Sequence, residues 1–124
     1  MTKFKSQGFN NTFKNARKGF RLVFKSEMNI RVHLIIAILV LISAYFLGFD
    51  YMEYCMLLVA IALVIISEII NTAIEFALDS IYHNRYSKMV GMAKDISAGA
   101  VMFASFISAF IGIILFSKHI FALV

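Results

Sequence analysis

No proline occurs anywhere in the 124-residue chain, so no helix need be broken by a missing N–H and a ring clash. Long, uninterrupted rods are expected. Tryptophan is absent as well, and the one cysteine, Cys55, has no partner for an intramolecular disulfide. It sits in an apolar run and reads as a packing residue. Apolar sequence begins only after 33 residues that are mostly polar and basic. With no small-residue cleavage site behind a short apolar core, no removable signal peptide is expected. No internal repeat or low-complexity linker divides the chain, so residues 1–124 read as a single domain.

What the chain has in excess is hydrophobicity. Residue types AVILMFWYC make up 61% of it, and its mean hydropathy is +0.85, far outside the range of soluble domains. Apolar runs at 34–49, 54–66 and 96–116 approach the roughly 20 residues needed to cross a ~30 Å hydrocarbon layer. The fold class that follows is an all-α membrane protein, with an N-terminal amphipathic surface helix and three transmembrane helices. The surface helix is expected at about 8–28 and the spans at about 30–49, 52–81 and 91–117.

Charge orients these spans. Eight of the twelve Lys and Arg precede Leu34 (Lys3, Lys5, Lys14, Arg17, Lys18, Arg21, Lys25, Arg31), and Arg85, Lys88 and Lys94 follow the second span. The turn with Asp50 and Glu53 has none. By the positive-inside rule the N-terminus and the 82–95 connector are cytoplasmic, whereas the 50–53 turn and the C-terminus lie outside. The net charge of +5 then reflects topology and attraction to anionic headgroups, not nucleic-acid binding.

In the N-terminal segment Phe9, Phe13, Ala16, Phe20, Val23 and Phe24 recur at helical steps between the basic residues, a pattern suited to lying in the interface plane. Asn10, Asn11 or Thr12 could cap its start. In the third span Ala100, Ala104, Ser108 and Gly112 repeat every four residues, beside Ser97, Val101, Ser105 and Ala109. Small residues in register let helices approach closely in lipid.

The second span carries the chemistry. Its stretch SEIINTAIEFALD, residues 67–79, brings Glu68, Asn71, Glu75 and Asp79 onto a rod that is otherwise apolar. At 100° per residue these four share a stripe about 80° wide. An ionised carboxylate facing lipid costs something like 2.5 to 3.5 kcal/mol at mid-membrane, so the stripe should face protein or a water-filled cleft. From an outer end near Met52, Glu68 lies about 24 Å in, near the inner hydrocarbon boundary, and Glu75 and Asp79 emerge beyond it. Pairing with the basic N-terminal helix would fasten that helix down, but it would need neither the amide of Asn71 nor an acid as deep as Glu68.

Two further positions add to this set. Glu27 is the one acid of the N-terminal segment and stands at the junction with the first span, with Arg31 four residues on as a local partner. In GMAKDISAGA, residues 91–100, Lys94 could neutralise phosphate and Asp95 could bind a ribose, a metal or a cation. Carboxylates suit Mg²⁺. Lysine and a metal together stabilise a transferring phosphoryl group, and a carboxylate in apolar surroundings can take a proton from a hydroxyl. The inventory fits a phosphotransferase acting on a lipid alcohol, although no GxxxxGK[ST] loop and no HRD or DFG set is present. An ion-coupled membrane carrier would also place acids in the membrane.

The motifs EIINTAIEFALD at 68–79 and AKDISAGAV at 93–101, with the run FKNARKGFRLVFKSEMNIRVH at 13–33, resemble the small integral-membrane lipid kinases, prokaryotic diacylglycerol kinase and its undecaprenol kinase relatives. The resemblance runs from about Phe9 to Phe116. It implies a homotrimer with active sites between protomers, ATP as co-substrate and Mg²⁺ as cofactor. It further implies Glu68 as catalytic base, Glu27 and Glu75 as metal ligands, and Asn71, Glu75, Lys94 and Asp95 around the nucleotide, with Asp79 on a motif position. Asn15, Lys18 and Arg21 are candidates for further nucleotide contact, Lys18 foremost. The lack of Trp and the wealth of Lys, Asn, Ile and Phe point to an AT-rich Gram-positive source, where members resemble undecaprenol kinases. Phosphorylation of undecaprenol is therefore expected, with diacylglycerol as the alternative substrate.

Overall fold

The computed structural model describes residues 8–83, 85 and 87–124. Among them the chain forms four helices and no strand: α1 (Phe9–Ser26), α2 (Met28–Leu47), α3 (Tyr51–Tyr82) and α4 (Lys88–Leu123). The last three are long and apolar enough to cross a membrane. Most of each apolar stretch is left uncovered by the chain itself, as expected where lipid or another protomer is the neighbour. Lys3 and Lys5 lie outside the described residues.

One extended residue separates the surface helix from the first span. Glu27 takes φ −114° and ψ 112°, and its N–H closes α1 on the Val23 carbonyl. The start of α1 differs from expectation: the helix begins at Phe9 with Gly8 as N-cap and no side-chain cap. Asn10, Asn11 and Thr12 are already inside it, and the Thr12 hydroxyl donates back to the Gly8 carbonyl. No ion pair joins Glu27 to Arg31 among the described residues. Cys55 is exposed and takes no part in the core.

The α2–α3 turn is built from three local devices. Gly48 sits in the left-handed region at φ 81°, which glycine adopts without a Cβ clash. Its N–H bonds to Tyr45 and that of Phe49 to Ala44, the Schellman pattern that satisfies the last carbonyls of a helix. Asp50 then caps α3 in a reciprocal box: the Glu53 N–H donates to Asp50 Oδ1 at 2.9 Å, and the Asp50 N–H donates to Glu53 Oε1 at 3.4 Å. Finally Phe49 packs on Tyr54, one turn into α3, as a hydrophobic staple. The Glu53 amide holds the Asp50 carboxyl below its usual range. A carboxyl depressed in this way adds stability above its unfolded value and loses it as pH falls through the folded one.

The same turn is clasped to the far end of α4. Phe49 stacks on the His119 ring with centroids 4.5 Å apart, and His119 Nε2 lies 2.6 Å from Oε2 of the buried Glu53. This explains why α4 continues past the apolar run to Leu123: nothing in residues 117–123 breaks a helix, and His119 gains a partner by staying in it. Lys118 stands 3.9 Å from the same carboxylate. His119→Ala should destabilise the fold by about 3 kcal/mol, at the low end for breaking a buried pair because Lys118 remains. The unfolding midpoint in detergent measures this, and an unchanged midpoint would show the clasp to be idle.

α3 and α4 form the main antiparallel pair. Asp79 meets Lys94, Asn71 meets Ser97, Ala60 meets Ser108 and Glu53 meets His119, so partner numbers rise along α4 as they fall along α3. Ser97 and Ala104 of the small-residue stripe are buried in this seam. The Ser108 hydroxyl donates to the Ala60 carbonyl at 2.9 Å, a bond contributing on the order of 0.6 kcal/mol between membrane helices. Gly112 departs from the expected close packing, since a Cβ built there meets nothing within 4 Å. It lines a groove instead. The connector between α3 and α4 is also shorter than expected: His83, at φ 50°, ends α3, and α4 begins at Lys88, which puts Lys94 in the second turn of a helix.

Candidate active site

The acidic stripe of α3 faces protein. Glu68 is 9% exposed, turned toward α2, where Nε2 of His33 lies 3.1 Å from its Oε1. Just beyond it, Thr72 is buried and its hydroxyl donates to the Glu68 carbonyl, so the polar groups of this turn are matched to one another.

Asn71 is gripped from two sides. Its Oδ1 accepts a 2.6 Å hydrogen bond from the Ser97 hydroxyl of α4, and its Nδ2 donates to Glu75 Oε1 at 3.3 Å. The amide is thus fixed in rotation and holds Glu75 in turn. One turn further, Lys94 Nζ donates to Asp79 Oδ1 at 2.7 Å. Both residues are half-exposed, so the pair is solvent-screened and worth little as a staple. An ammonium has three donors, which leaves two of Lys94's for another anion.

Asn71, Glu75, Asp79 and Lys94 therefore come together along the α3–α4 seam, in the order expected from helical spacing, while Glu68, one turn deeper on α3, faces α2. Glu27 does not join them within the chain: it is half-buried at the α1–α2 junction. Asp95 is exposed, turned about 100° around α4 from Lys94, and Lys18, Asn15 and Arg21 are exposed on α1. Two contributors are not among the residues that the sequence singles out. His33 carries a signal, an ionisable ring early in an apolar helix, a position that is functional by default. Ser97, three residues after Lys94 and hence on the same face, reads in sequence as one more small packing residue.

Along the three spans, an apolar groove of about 510 Å³ leads away from this seam. Ala37 of α2, Ala60 and Val64 of α3, and Ser108, Ala109 and Gly112 of α4 line it, and His33 stands at the end nearest Glu68. Small side chains on three helices leave the space. The α4 lining from Ser105 to Phe116 extends about 16 Å at helical rise.

No three His, Cys, Asp or Glu side chains cluster as a ready-made metal cage among the described residues. Mg²⁺ rarely uses one; it keeps several waters and is held by one or two carboxylates together with substrate phosphates. Glu75, half-buried and oriented by Asn71, and Glu27 are oxygen donors of that kind, so the donor chemistry fits.

Three membrane-length helices with a surface helix, and an apolar groove whose end residue His33 meets a buried carboxylate, define a helical protein built for a membrane. The comparisons make the class specific. A family model for prokaryotic diacylglycerol kinase matches residues 14–116, and the chain belongs to that family. It is 30% identical over 101 residues to a diacylglycerol kinase of Synechocystis sp., a match that spans 82% of this chain but 58% of that protein. It is 31% identical over 108 residues to the undecaprenol kinase of Bacillus subtilis, covering 87% of both. To the diacylglycerol kinase of Escherichia coli K12 it is 31% identical over 102 residues, covering 82% of this chain and 83% of that one. The named relatives are kinases of membrane lipids, which favours phosphoryl transfer over the ion-coupled carrier.

Proposed function

We propose that this protein transfers the γ-phosphoryl group of ATP to the hydroxyl of a membrane lipid alcohol, with undecaprenol the substrate and undecaprenyl phosphate the product. The observation that carries this reading is the buried Glu68 carboxylate, in contact with the His33 that lines the end of an apolar groove, with Asn71, Glu75 and Lys94 one to two turns further on at the α3–α4 seam. A lipid chain lying in the groove brings its hydroxyl to Glu68. The carboxylate accepts the hydroxyl proton as the oxygen forms its bond to the γ-phosphorus, while the bond from that phosphorus to the β,γ-bridging oxygen breaks and ADP leaves. Lys94, steadied by Asp79, offers its free donors to the charge on the phosphates. Asn71 fixes Glu75, which with Glu27 would hold Mg²⁺; when bound, that ion would neutralise phosphate charge. Glu68 then loses its proton to water.

The basic α1 and the α3–α4 connector lie on the cytoplasmic side of a bacterial inner membrane, where ATP is supplied. Glu27, Lys18 and Asp95 make no contact with the seam in one chain, which accords with the homotrimer expected from resemblance and with nucleotide sites completed between protomers. The lack of Trp and the wealth of Lys, Asn, Ile and Phe, which point to an AT-rich Gram-positive source, favour undecaprenol.

Substrate choice is tested by offering both alcohols at equal mole fraction in mixed micelles and separating the labelled products. Undecaprenyl phosphate should dominate; predominant phosphatidic acid would make diacylglycerol the substrate. The groove has its own test. A Cβ at Gly112 meets nothing within 4 Å, so the side chain of Gly112→Leu projects into the groove; it should raise the KM for the lipid about tenfold, the lower end of the range for one misplaced methylene, and leave that for ATP unchanged. An unaltered lipid KM would remove the groove from substrate binding.

A further inference from the structure

We infer that His33 is a positioning residue for the base: its ring orients the Glu68 carboxylate and guards the end of the groove. This rests on the reading of Glu68 as general base and goes beyond it by assigning a group on another helix. The placement follows from how α2 folds. Its buried positions are Ile30, Ala37 and Ala44, seven apart, which defines one narrow face toward the bundle. His33 is three residues after Ile30 and four before Ala37, so helical geometry puts it on that same face. Ile30 and Ala37 are 1% and 8% exposed, and their packing leaves the ring little freedom to turn away.

At that place the ring meets two things. Nε2 lies 3.1 Å from Glu68 Oε1, and among the described residues no other hydrogen bond or ion pair from a side chain reaches this carboxylate. A buried carboxylate without a donor is costly and free to rotate. The single contact fixes the carboxylate's orientation through one oxygen and leaves Oε2 open to a substrate hydroxyl. The exposed remainder of the ring lines the apolar groove, so an alcohol arriving along the groove passes His33 before it reaches Glu68. Asn71, Glu75 and Lys94, which serve the nucleotide side, have partners of their own and do not depend on this contact.

The test compares His33→Ala, His33→Gln and His33→Asn in mixed micelles with the lipid alcohol that the wild-type protein phosphorylates, alongside Glu68→Gln. A glutamine amide nitrogen reaches about as far as Nε2, whereas that of asparagine stops near Nδ1. His33→Ala and His33→Asn should lower kcat about 10- to 100-fold, the cost of a misplaced catalytic group, with the KM for ATP unchanged. His33→Gln should recover most of the loss. Thermal midpoints of the variants separate this from simple destabilisation; if the alanine variant does not fold, the Gln and Asn variants still decide. Near-normal kcat in His33→Asn, or equal impairment of the Gln and Asn variants, overturns the proposal while Glu68→Gln remains inactive. Turnover in Glu68→Gln would remove the base reading itself and this inference with it.

Discussion

Glu68→Gln is expected to lower lipid phosphorylation by about 10²- to 10⁴-fold, the usual contribution of a positioned general base, while nucleotide binding stays near wild type. The amide keeps the volume of the buried side chain and can still meet His33, so packing in the seam survives. What it loses is the ability to accept the hydroxyl proton. Because Asn71, Glu75 and Lys94 are held by their own partners, the nucleotide side should not notice. Initial rates with labelled ATP, set beside equilibrium binding of a fluorescent ATP analogue, separate the two. Near-normal turnover in the variant would take Glu68 out of the base role, and loss of nucleotide binding would move it to the other side of the site.

Removing Lys94 should have the second-largest effect. Lys94→Met keeps the apolar stem but removes the cation that α4 brings to the acidic seam. A loss of about 10²- to 10³-fold in kcat/KM for ATP is expected, comparable to deleting one preorganised electrostatic donor. Asp79→Asn should cost far less, since it weakens a half-exposed pair and leaves the ammonium in place. Steady-state kinetics with ATP as the varied substrate measures both. Equal losses in the two variants would make the ion pair structural and not a phosphate contact.

The α3 stripe is legible in the sequence because four polar residues on an apolar rod mark a face whatever surrounds them. The junction at Glu27 is legible for a similar reason: periodic aromatic and basic residues stop there and continuous apolar sequence begins. His33 is harder to place. α2 is apolar nearly all round, so periodicity does not give its rotation, and the packing of Ile30 and Ala37 is what aims the ring at Glu68. The Glu53–His119 clasp joins positions 66 residues apart, beyond any local pattern, although Gly48, Asp50 and Glu53 spell out the turn that starts it. Gly112 belongs by spacing to a packing stripe, yet it lines a groove, and a Cβ there would meet nothing within 4 Å. Glu27, Lys18 and Asp95 illustrate another limit. If several protomers complete each site, neither one sequence nor one chain brings those residues to the seam.

The most direct measurement of the central claim is the transfer itself. Purified protein in mixed micelles, given γ-labelled ATP, Mg²⁺ and a lipid alcohol, should place the label in the solvent-extractable lipid, with transfer ending when the metal is chelated. Label that never enters the lipid fraction, whichever of undecaprenol and diacylglycerol is supplied, would contradict a site in which the α3 acids act on a membrane hydroxyl.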